Sequence, residues 1–445
     1  MDSFYAAVEV QLDPTLVGRP VIVGGDGARG VVASCSYEAR AYGIRSAMAS
    51  TQARRLCPHA VFLAGRHGLY GEYSARLHDV FRRFTPLIEG IALDEAFLDL
   101  TGARRTVGGG GGAALAVRRA VFDDLRLHCS VGVATSKLLA KLASKLAKPR
   151  PGIPGRPGEP IRLRPPAAAV GGRLAGEGVM VVDPGRELAF LQPLAVQSLW
   201  GVGPATMQRL ARFGVVTIGD LAALPEPTLV GALGRAQGHH LHALAWARDD
   251  RAVEPDRGVK SIGHEETYAV DVHDTATAGV ELVRMADAVA ARLRAAGLAG
   301  RTVTLKVKFA DFRLISRSRT LASPVDTAPV IASTVRALLA ADDVVDELAR
   351  LGARLLGVSV SNLGEPAAEQ LDLFGDLRSN PGADGGATAK ATADERALAQ
   401  VTDAIRERFG DGALGPAVLA GPRGLRVKRR GDTAWGPSAE GRSDD

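Results

Sequence analysis

A chain of 445 residues with 46% hydrophobic and 23% charged side chains has the balance of an ordinary soluble protein, long enough for two to four domains with their own cores. The formal charge of +6 and pI near 9.4 favour a polyanionic partner. Three cysteines, Cys35, Cys57 and Cys129, lack metal-ligand spacing and fit a reducing cytoplasm; no apolar run nears the ~18 residues of a membrane span and no signal-peptide pattern opens the chain, so a cytoplasmic protein without a membrane partner is expected.

In chain order, Met1-Asp2-Ser3-Phe4-Tyr5-Ala6-Ala7-Val8-Glu9 is an apolar helix pattern with no strand before it, and Pro20-Val21-Ile22-Val23-Gly24-Gly25 is strand-like. Val31-Val32-Ala33-Ser34-Cys35-Ser36 reads as a strand running into Tyr37-Glu38-Ala39-Arg40. Tyr37 and Arg40 share a face at a helix start, which either welcomes an anion or holds a packing Tyr beside a surface Arg. An amphipathic helix from Gly71 to Phe84 leads into Ile91-Ala92-Leu93-Asp94-Glu95-Ala96-Phe97-Leu98-Asp99-Leu100-Thr101. Two adjacent carboxylates in that apolar run cost several kcal/mol each to desolvate unless a cation compensates them. Mg²⁺ binds through few carboxylates plus substrate phosphates, so a nucleotide would complete such a site. The plain alternative is a solvated turn between two short strands.

The glycine run Gly108 to Gly112 reads as a flexible tether before a helix from Ala113 to Leu125. After the strand Cys129 to Ala134, the helix from Ser136 buries Leu138, Leu139, Leu142 and Leu146 and sends its lysines outward, with Lys148 held best, before Pro149. Pro149 to Gly178 reads as an irregular insertion. Leu199-Trp200-Gly201-Val202-Gly203-Pro204-Ala205-Thr206 then opens a helix at Met207 to Phe213, and Val216-Thr217-Ile218-Gly219-Asp220-Leu221 follows. This is a helix-hairpin-helix pattern, whose Gly201 and Gly203 free backbone N–H groups for one phosphate.

From Val259 the order is strand (Ser261 to Val270), helix (Thr275 to Ala296), strands (Arg301 to Phe309, Arg313 to Thr320), helix (Ala328 to Ala340) and strand (Arg354 to Ser361). That is a split βαβ unit with both helices on one side of a four-stranded sheet. Val303, Leu305, Val307 and Phe309 face the helices; Lys306 and Lys308 face outward, and Arg313, Arg317 and Arg319 are expected to extend that open basic face. Such a face suits a nucleic-acid backbone, or is merely a solvated edge. Beyond Gly364 the chain reads as mostly disordered, with Gln370-Leu371-Asp372-Leu373-Phe374 an apolar island suited to a partner's groove.

Taken together, the motifs at 1–9, 37–40, 93–99, 147–149, 201–203 and 370–374 stand in the order seen in Y-family translesion DNA polymerases of the DinB type, which residues 1 to 374 of this chain resemble. The resemblance implies an α+β right-hand polymerase with a ferredoxin-like palm, small fingers, a helical thumb and a split βαβ little finger. The divisions expected are fingers with a residual palm start at 1–66, palm at 67–150, insertion at 151–178, thumb at 179–256, little finger at 259–363 and tail at 364–445. Two Mg²⁺ ions are implied, bound by Asp94 and Glu95, with Glu95 helping to activate the primer hydroxyl. Tyr37, Arg40 and Lys148 would clamp the triphosphate of an incoming deoxynucleotide. Tyr5 matches the steric gate against ribose, and Phe4 its neighbour in the nucleotide pocket. Gly201, Gly203, Lys306, Lys308, Arg317 and Arg319 would contact primer-template DNA. Gln370, Leu371, Leu373 and Phe374 resemble the peptide that binds the sliding β-clamp, and a monomer is expected.

One departure stands out. The family usually carries an aspartate two residues before the position of Asp2, on a strand that supplies a ligand to both metals. Asp2 lies about 6–7 Å further along an extended strand, too far to substitute. A strand missing ahead of Met1, through a late-assigned start, is therefore expected. A catalytically silent adaptor for DNA and clamp on the same fold is the rival reading. A nucleotide cyclase with a palm-like fold would leave the hairpin and clamp motif unexplained.

Overall fold

The computed structural model of the chain describes residues 1–103, 109–152, 171–366, 385–422, 424–426 and 435–436. It divides into two compact units, one of Met1–Gly24, Val32–Met48 and Gln52–Arg257, the other of Gly25–Val31, Ala49–Thr51 and Gly258–Asp445.

Helix α1 (Phe4–Leu12) opens the first unit and buries Ala6 and Val8 against the sheet of β1 (Val21–Gly24), β2 (Val32–Cys35) and β3 (Val61–Leu63). The strand order is β2-β1-β3, and central β1 buries Val21, Ile22 and Val23, the continuous apolar run of a strand covered on both faces. Ser36 caps α2 (Tyr37–Ala41), its Oγ accepting the Ala39 N–H at 3.3 Å. After α3 (Ser50–Leu56), helix α4 (His67–Arg82) buries Tyr70, Leu77 and Val80 and leads into the hairpin of β4 (Ile88–Ala92) and β5 (Glu95–Leu98).

Helix α5 (Gly109–Leu125) packs on the sheet β6-β8-β7, made of β6 (Val131–Val133), β7 (Arg173–Gly176) and β8 (Val179–Val181). Gly109 to Gly112 of the glycine run are thus the first turn of a helix rather than a tether. A Cβ on Gly110 would come 2.5 Å from Val133 Cγ1, so close packing, not chain freedom, accounts for a glycine there. Strand β7 likewise lies within the stretch expected to be irregular, of which residues 153–170 are outside the described part.

Helix α6 (Lys137–Ala147) starts at Ser136 and buries Leu138, Leu139, Leu142, Ala143 and Ala147. Lys137 departs from the outward expectation: it is buried, with its Nζ donating to Glu89 Oε2 at 2.6 Å. Helices α7 (Glu187–Leu191), α8 (Pro204–Ala211), α9 (Ile218–Ala223), α10 (Glu226–Leu233) and α11 (Arg235–Ala245) close the unit around a core of Phe190, Leu210, Ile218 and Leu241 shared with α6. A capping box between Thr217 and Asp220 starts α9.

The second unit is built on β9 (Ser261–Val272), α12 (Thr275–Ala295), β10 (Ala299–Phe309), β11 (Leu314–Val325), α13 (Ala328–Leu339), α14 (Asp342–Leu351) and β12 (Ala353–Gly364). The sheet order β11-β10-β12-β9 places β12 between the two strands joined by α12, which is the split βαβ arrangement, and α12 and α13 cover one face. Val303, Leu305, Val307 and Phe309 are fully buried, as their alternation requires.

The register corrects the basic face. Arg319 pairs with Val303 and Arg317 with Leu305, and directly paired residues share a side, so both arginines lie on the helix side of edge strand β11. Arg317 is paired there with Asp343, and Arg313 with Glu347 at 2.6 Å, both on α14. The open face instead carries Lys306 and Lys308 among hydroxyls: Thr302 Oγ1 lies 3.0 Å from Thr320 Oγ1, and Thr304 Oγ1 2.8 Å from Ser318 Oγ.

The tail also departs from expectation, because α15 (Gly385–Phe409) is helical. Ion pairs dock it where apolar burial is scarce: Arg294 with Asp403 at 2.6 Å, Arg406 with Asp287 at 2.9 Å and Arg396 with Asp326 at 3.2 Å. The 370–374 motif lies outside the described residues.

Candidate active site

Ala92 pairs with Glu95, so Leu93 and Asp94 form the tight turn of the β4–β5 hairpin. The local geometry is a turn between two strands, but its surroundings are not those of an idle surface. Ser74 Oγ fixes the turn through the Leu93 carbonyl at 2.6 Å. The Met1 ammonium donates to the Asp94 carbonyl at 2.7 Å and stands 3.5 Å from Asp94 Oδ2. Lys141 Nζ donates to Glu95 Oε2. Burial acts to raise the Glu95 pKa, but the bond and charge of Lys141, with Lys148 and the terminal ammonium beyond, outweigh it and hold the carboxyl below its ordinary value. Burial first, then the like charge of Lys141, depresses Lys145. Asp94, Glu95, Lys141 and Lys148 line a cleft of about 860 Å³.

Asp2 faces a different set of partners. Ser130 Oγ lies 2.9 and 3.0 Å from its two carboxylate oxygens, and Lys148 Nζ stands 4.0 Å from Oδ1. Among the described residues no third acidic, His or Cys side chain gathers with Asp94 and Glu95 as a metal cluster. The pair still suits a divalent cation: its donors are hard carboxylate oxygens, and an ammonium group, Lys141, is drawn onto Glu95 where positive charge is wanted.

Tyr37 and Arg40 do share a face, with the Arg40 guanidinium 5.1 Å from the Tyr37 ring centroid. The Tyr37 hydroxyl is buried and makes no hydrogen bond of ordinary geometry, although it lies in the field of Asp2. Burial first, and then that negative charge, push its pKa far up, so it stays a neutral O–H donor beside Asp2. Tyr37 and Lys148 both lie near Asp2, the residue after Met1, whose ammonium meets the Asp94 turn.

Tyr5 is stacked on Tyr70, with ring centroids 4.3 Å apart and planes at 17°. Burial, then the Asp94 charge, raise its pKa, which puts its ring within the field of the carboxylate turn. Phe4 is 4% exposed and 5.5 Å from Tyr5, so it backs that ring from the core instead of lining an open pocket. Tyr70 is held in turn: its hydroxyl donates to Glu9 Oε1 at 2.5 Å, and Arg66 Nε donates to the same oxygen at 3.0 Å. Sequence reasoning missed Tyr70, Arg66 and Ser130. The available signal was Glu9, four residues after Tyr5 on one face of α1 and buried, a carboxylate that had to find a partner.

Gly201 adopts φ +89°, and its carbonyl accepts from Gln237 Nε2 at 3.0 Å, which fixes the hairpin ahead of α8; Gly203 is that helix's N-cap. Lys306, Lys308, Arg317 and Arg319 belong to the second unit, divided between two faces as described above.

Known proteins resemble this chain in sequence and in fold. The impB/mucB/samB family matches residues 1–145, and that family's C-terminal domain matches 259–373. A DNA polymerase IV of Streptomyces coelicolor is 44% identical over 83% of this chain and 71% of its own length. One from Desulfatibacillum aliphaticivorans is 40% identical over 94% of this chain and 95% of its own length. Among solved structures, a Y-family DNA polymerase chimera of Dbh and Dpo4 matches with a TM-score of 0.67 at 23% identity, over 82% of this chain and 97% of the chimera. DinB from Sulfolobus solfataricus matches with a TM-score of 0.52 at 21% identity, over 81% of this chain and 96% of its own, so the fold is the α+β Y-family polymerase fold of palm, fingers, thumb and little finger. No helix among the described residues is long and apolar enough to cross a membrane. The chain belongs to the Y-family DNA polymerases of the DNA polymerase IV (DinB) type, the DNA-directed DNA polymerases of error-prone translesion synthesis.

Proposed function

We propose that the Asp94–Glu95 turn is the centre at which this chain joins a deoxynucleotide to a primer end on a DNA template. The observation that carries this reading is the gathering of Tyr5, Lys141 and Lys148 around two adjacent carboxylates whose charge is compensated only by cations. Asp94 and Glu95 would hold divalent metal, which when bound stabilises charge on the attacking and leaving oxygens of an in-line displacement. Two Mg²⁺ ions remain the proposed complement, with substrate oxygens supplying the ligands that few protein carboxylates leave open.

The chain's own residues divide the remaining work. Tyr37 offers its buried, neutral hydroxyl, and Arg40 and Lys148 their charges, to the triphosphate, fixing its orientation. The Tyr5 ring, backed by Phe4 and stacked on Tyr70, excludes a ribose 2′-hydroxyl by occupying its space. Primer-template DNA is proposed to meet the Gly201–Gly203 hairpin through backbone N–H groups. On the second unit it would meet Lys306, Lys308 and the hydroxyl face, which offers donors and close approach without reading bases. Arg317 and Arg319, on the other side of that sheet, would serve only at the strand edge. Residues 370–374 are proposed to dock in the groove of a sliding clamp.

Primer extension by the full chain tests the reading. Template-directed, Mg²⁺-dependent addition of deoxynucleotides is expected; DNA binding with no addition would favour the silent adaptor instead.

A further inference from the structure

Trp200 stands at a junction that the roles above leave unassigned. It immediately precedes the Gly201 turn of the thumb hairpin, is 38% exposed, and meets Phe97 of β5 edge-on at 6.3 Å and 89°. Two cations flank its ring: Arg251 at 5.8 Å and Lys141 at 5.7 Å. They differ in their anions. Arg251 is committed to Asp249 through bonds of 2.5 and 3.0 Å, and Asp249 also accepts the Leu138 N–H at 2.8 Å. Lys141 has Glu95, the carboxylate proposed to take metal.

A metal ion arriving at Glu95 must displace the Lys141 ammonium, whose surroundings are otherwise hostile: Lys145 and Lys148 are close enough to bear on the same charges. An indole face is the neutral surface that stabilises a cation best. We propose that Trp200 is a positioning residue for Lys141, its ring receiving the ammonium when a divalent cation claims Glu95 and stabilising it more in that state than while it is paired with the carboxylate. The proposal rests on the assignment of Glu95 as a metal ligand. It would make the thumb hairpin sensitive to metal occupancy of the palm, because Trp200 and Gly201 are consecutive.

The test is a Mn²⁺ titration of the full chain without nucleotide or DNA, read as free Mn²⁺ by electron paramagnetic resonance. Removing the competing charge, Lys141→Met is expected to tighten Mn²⁺ binding by about tenfold. Trp200→Leu is expected to weaken it by roughly 2-fold to 30-fold, and to do nothing once Lys141→Met is present. A Trp200→Leu effect that is absent, or equal with and without Lys141, would overturn the proposal. Absence of Mn²⁺ binding in every variant, both without nucleotide and with a non-hydrolysable deoxynucleoside triphosphate beyond what that nucleotide binds alone, would overturn the metal assignment beneath it, so the two failures are distinct. Should Trp200→Leu fold poorly, emission from Trp200 in a Trp246→Phe, Trp435→Phe background gives an independent readout. A saturable change with Mn²⁺ that vanishes in Lys141→Met is expected, and an unchanged response in that variant would overturn the proposal.

Discussion

Replacing Tyr70 by Leu separates the positioning of the sugar gate from the gate itself. Tyr70 touches no substrate in the proposed arrangement; it supplies the face on which Tyr5 stacks at 4.3 Å. An aromatic pair of this kind is worth about 0.5–1.5 kcal/mol beyond its buried area. If that energy holds Tyr5 in the excluding position, its loss lowers discrimination between deoxy- and ribonucleotides by roughly 2-fold to 12-fold. Tyr70→Leu also strips Glu9 of one of its partners, and loss of a hydrogen bond to a buried charge costs about 1.5–3 kcal/mol of stability. Tyr70→Phe separates the two effects, since it keeps the stacked ring and loses only the hydroxyl. The assay is single-turnover incorporation of matched deoxy- and ribonucleotides, with urea unfolding alongside. Tyr70→Leu should lose discrimination and stability, Tyr70→Phe stability alone. Unchanged discrimination in Tyr70→Leu, with collapse in Tyr5→Ala, would show that Tyr5 holds its place without the stack.

Lys137→Met leaves buried Glu89 with the Glu254 N–H, 2.9 Å away, and the more distant charges of Arg257 and Arg251, and should cost about 3 kcal/mol in urea unfolding. Glu89 carries a matching pH dependence: burial opposes ionisation, but Lys137 and the Glu254 N–H outweigh it, so the folded carboxyl sits below its unfolded value. Its contribution is therefore full above the unfolded pKa of about 4.3 and is lost as pH falls through the lower folded value, a slope that Lys137→Met should flatten. Asp403→Ala, which removes the carboxylate bound by Arg294, should raise hydrogen exchange across residues 394–409 while leaving the sheet protected; equal exchange would mean the helix is held by other contacts. Changing Leu373 and Phe374 together to Ala should abolish clamp-dependent synthesis but not extension of a short primer without clamp, as measured by clamp pull-down and primer extension.

Much of the fold was legible because periodicity reports which face is buried. The strand Val303 to Phe309 and the helix Leu138 to Ala147 sit as their patterns require. What failed were features set by neighbours distant in sequence. The face of Arg317 and Arg319 depends on the pairing register with β10, which β11's own residues do not encode. Gly110 is glycine because of Val133, and α15 is docked by Arg294 and Asp287 in a helix about a hundred residues earlier. The site divided the same way. Asp94 and Glu95 were visible as charges in an apolar run, and Tyr37 with Arg40 as a helical pair. Lys141's partner, Tyr70's stack and the outlying place of Asp2 emerge only when four elements are brought together.

The central claim, that the hairpin turn is the centre of nucleotidyl transfer, is tested most directly by measuring primer extension and primer-template affinity side by side for Asp94→Ala and Glu95→Ala. Phosphate contacts elsewhere supply the affinity for DNA. The account predicts that each change removes extension by orders of magnitude while salt-dependent DNA binding stays within a few-fold of the unaltered chain. Extension retained by Asp94→Ala, at a rate comparable to the unaltered chain, would contradict it.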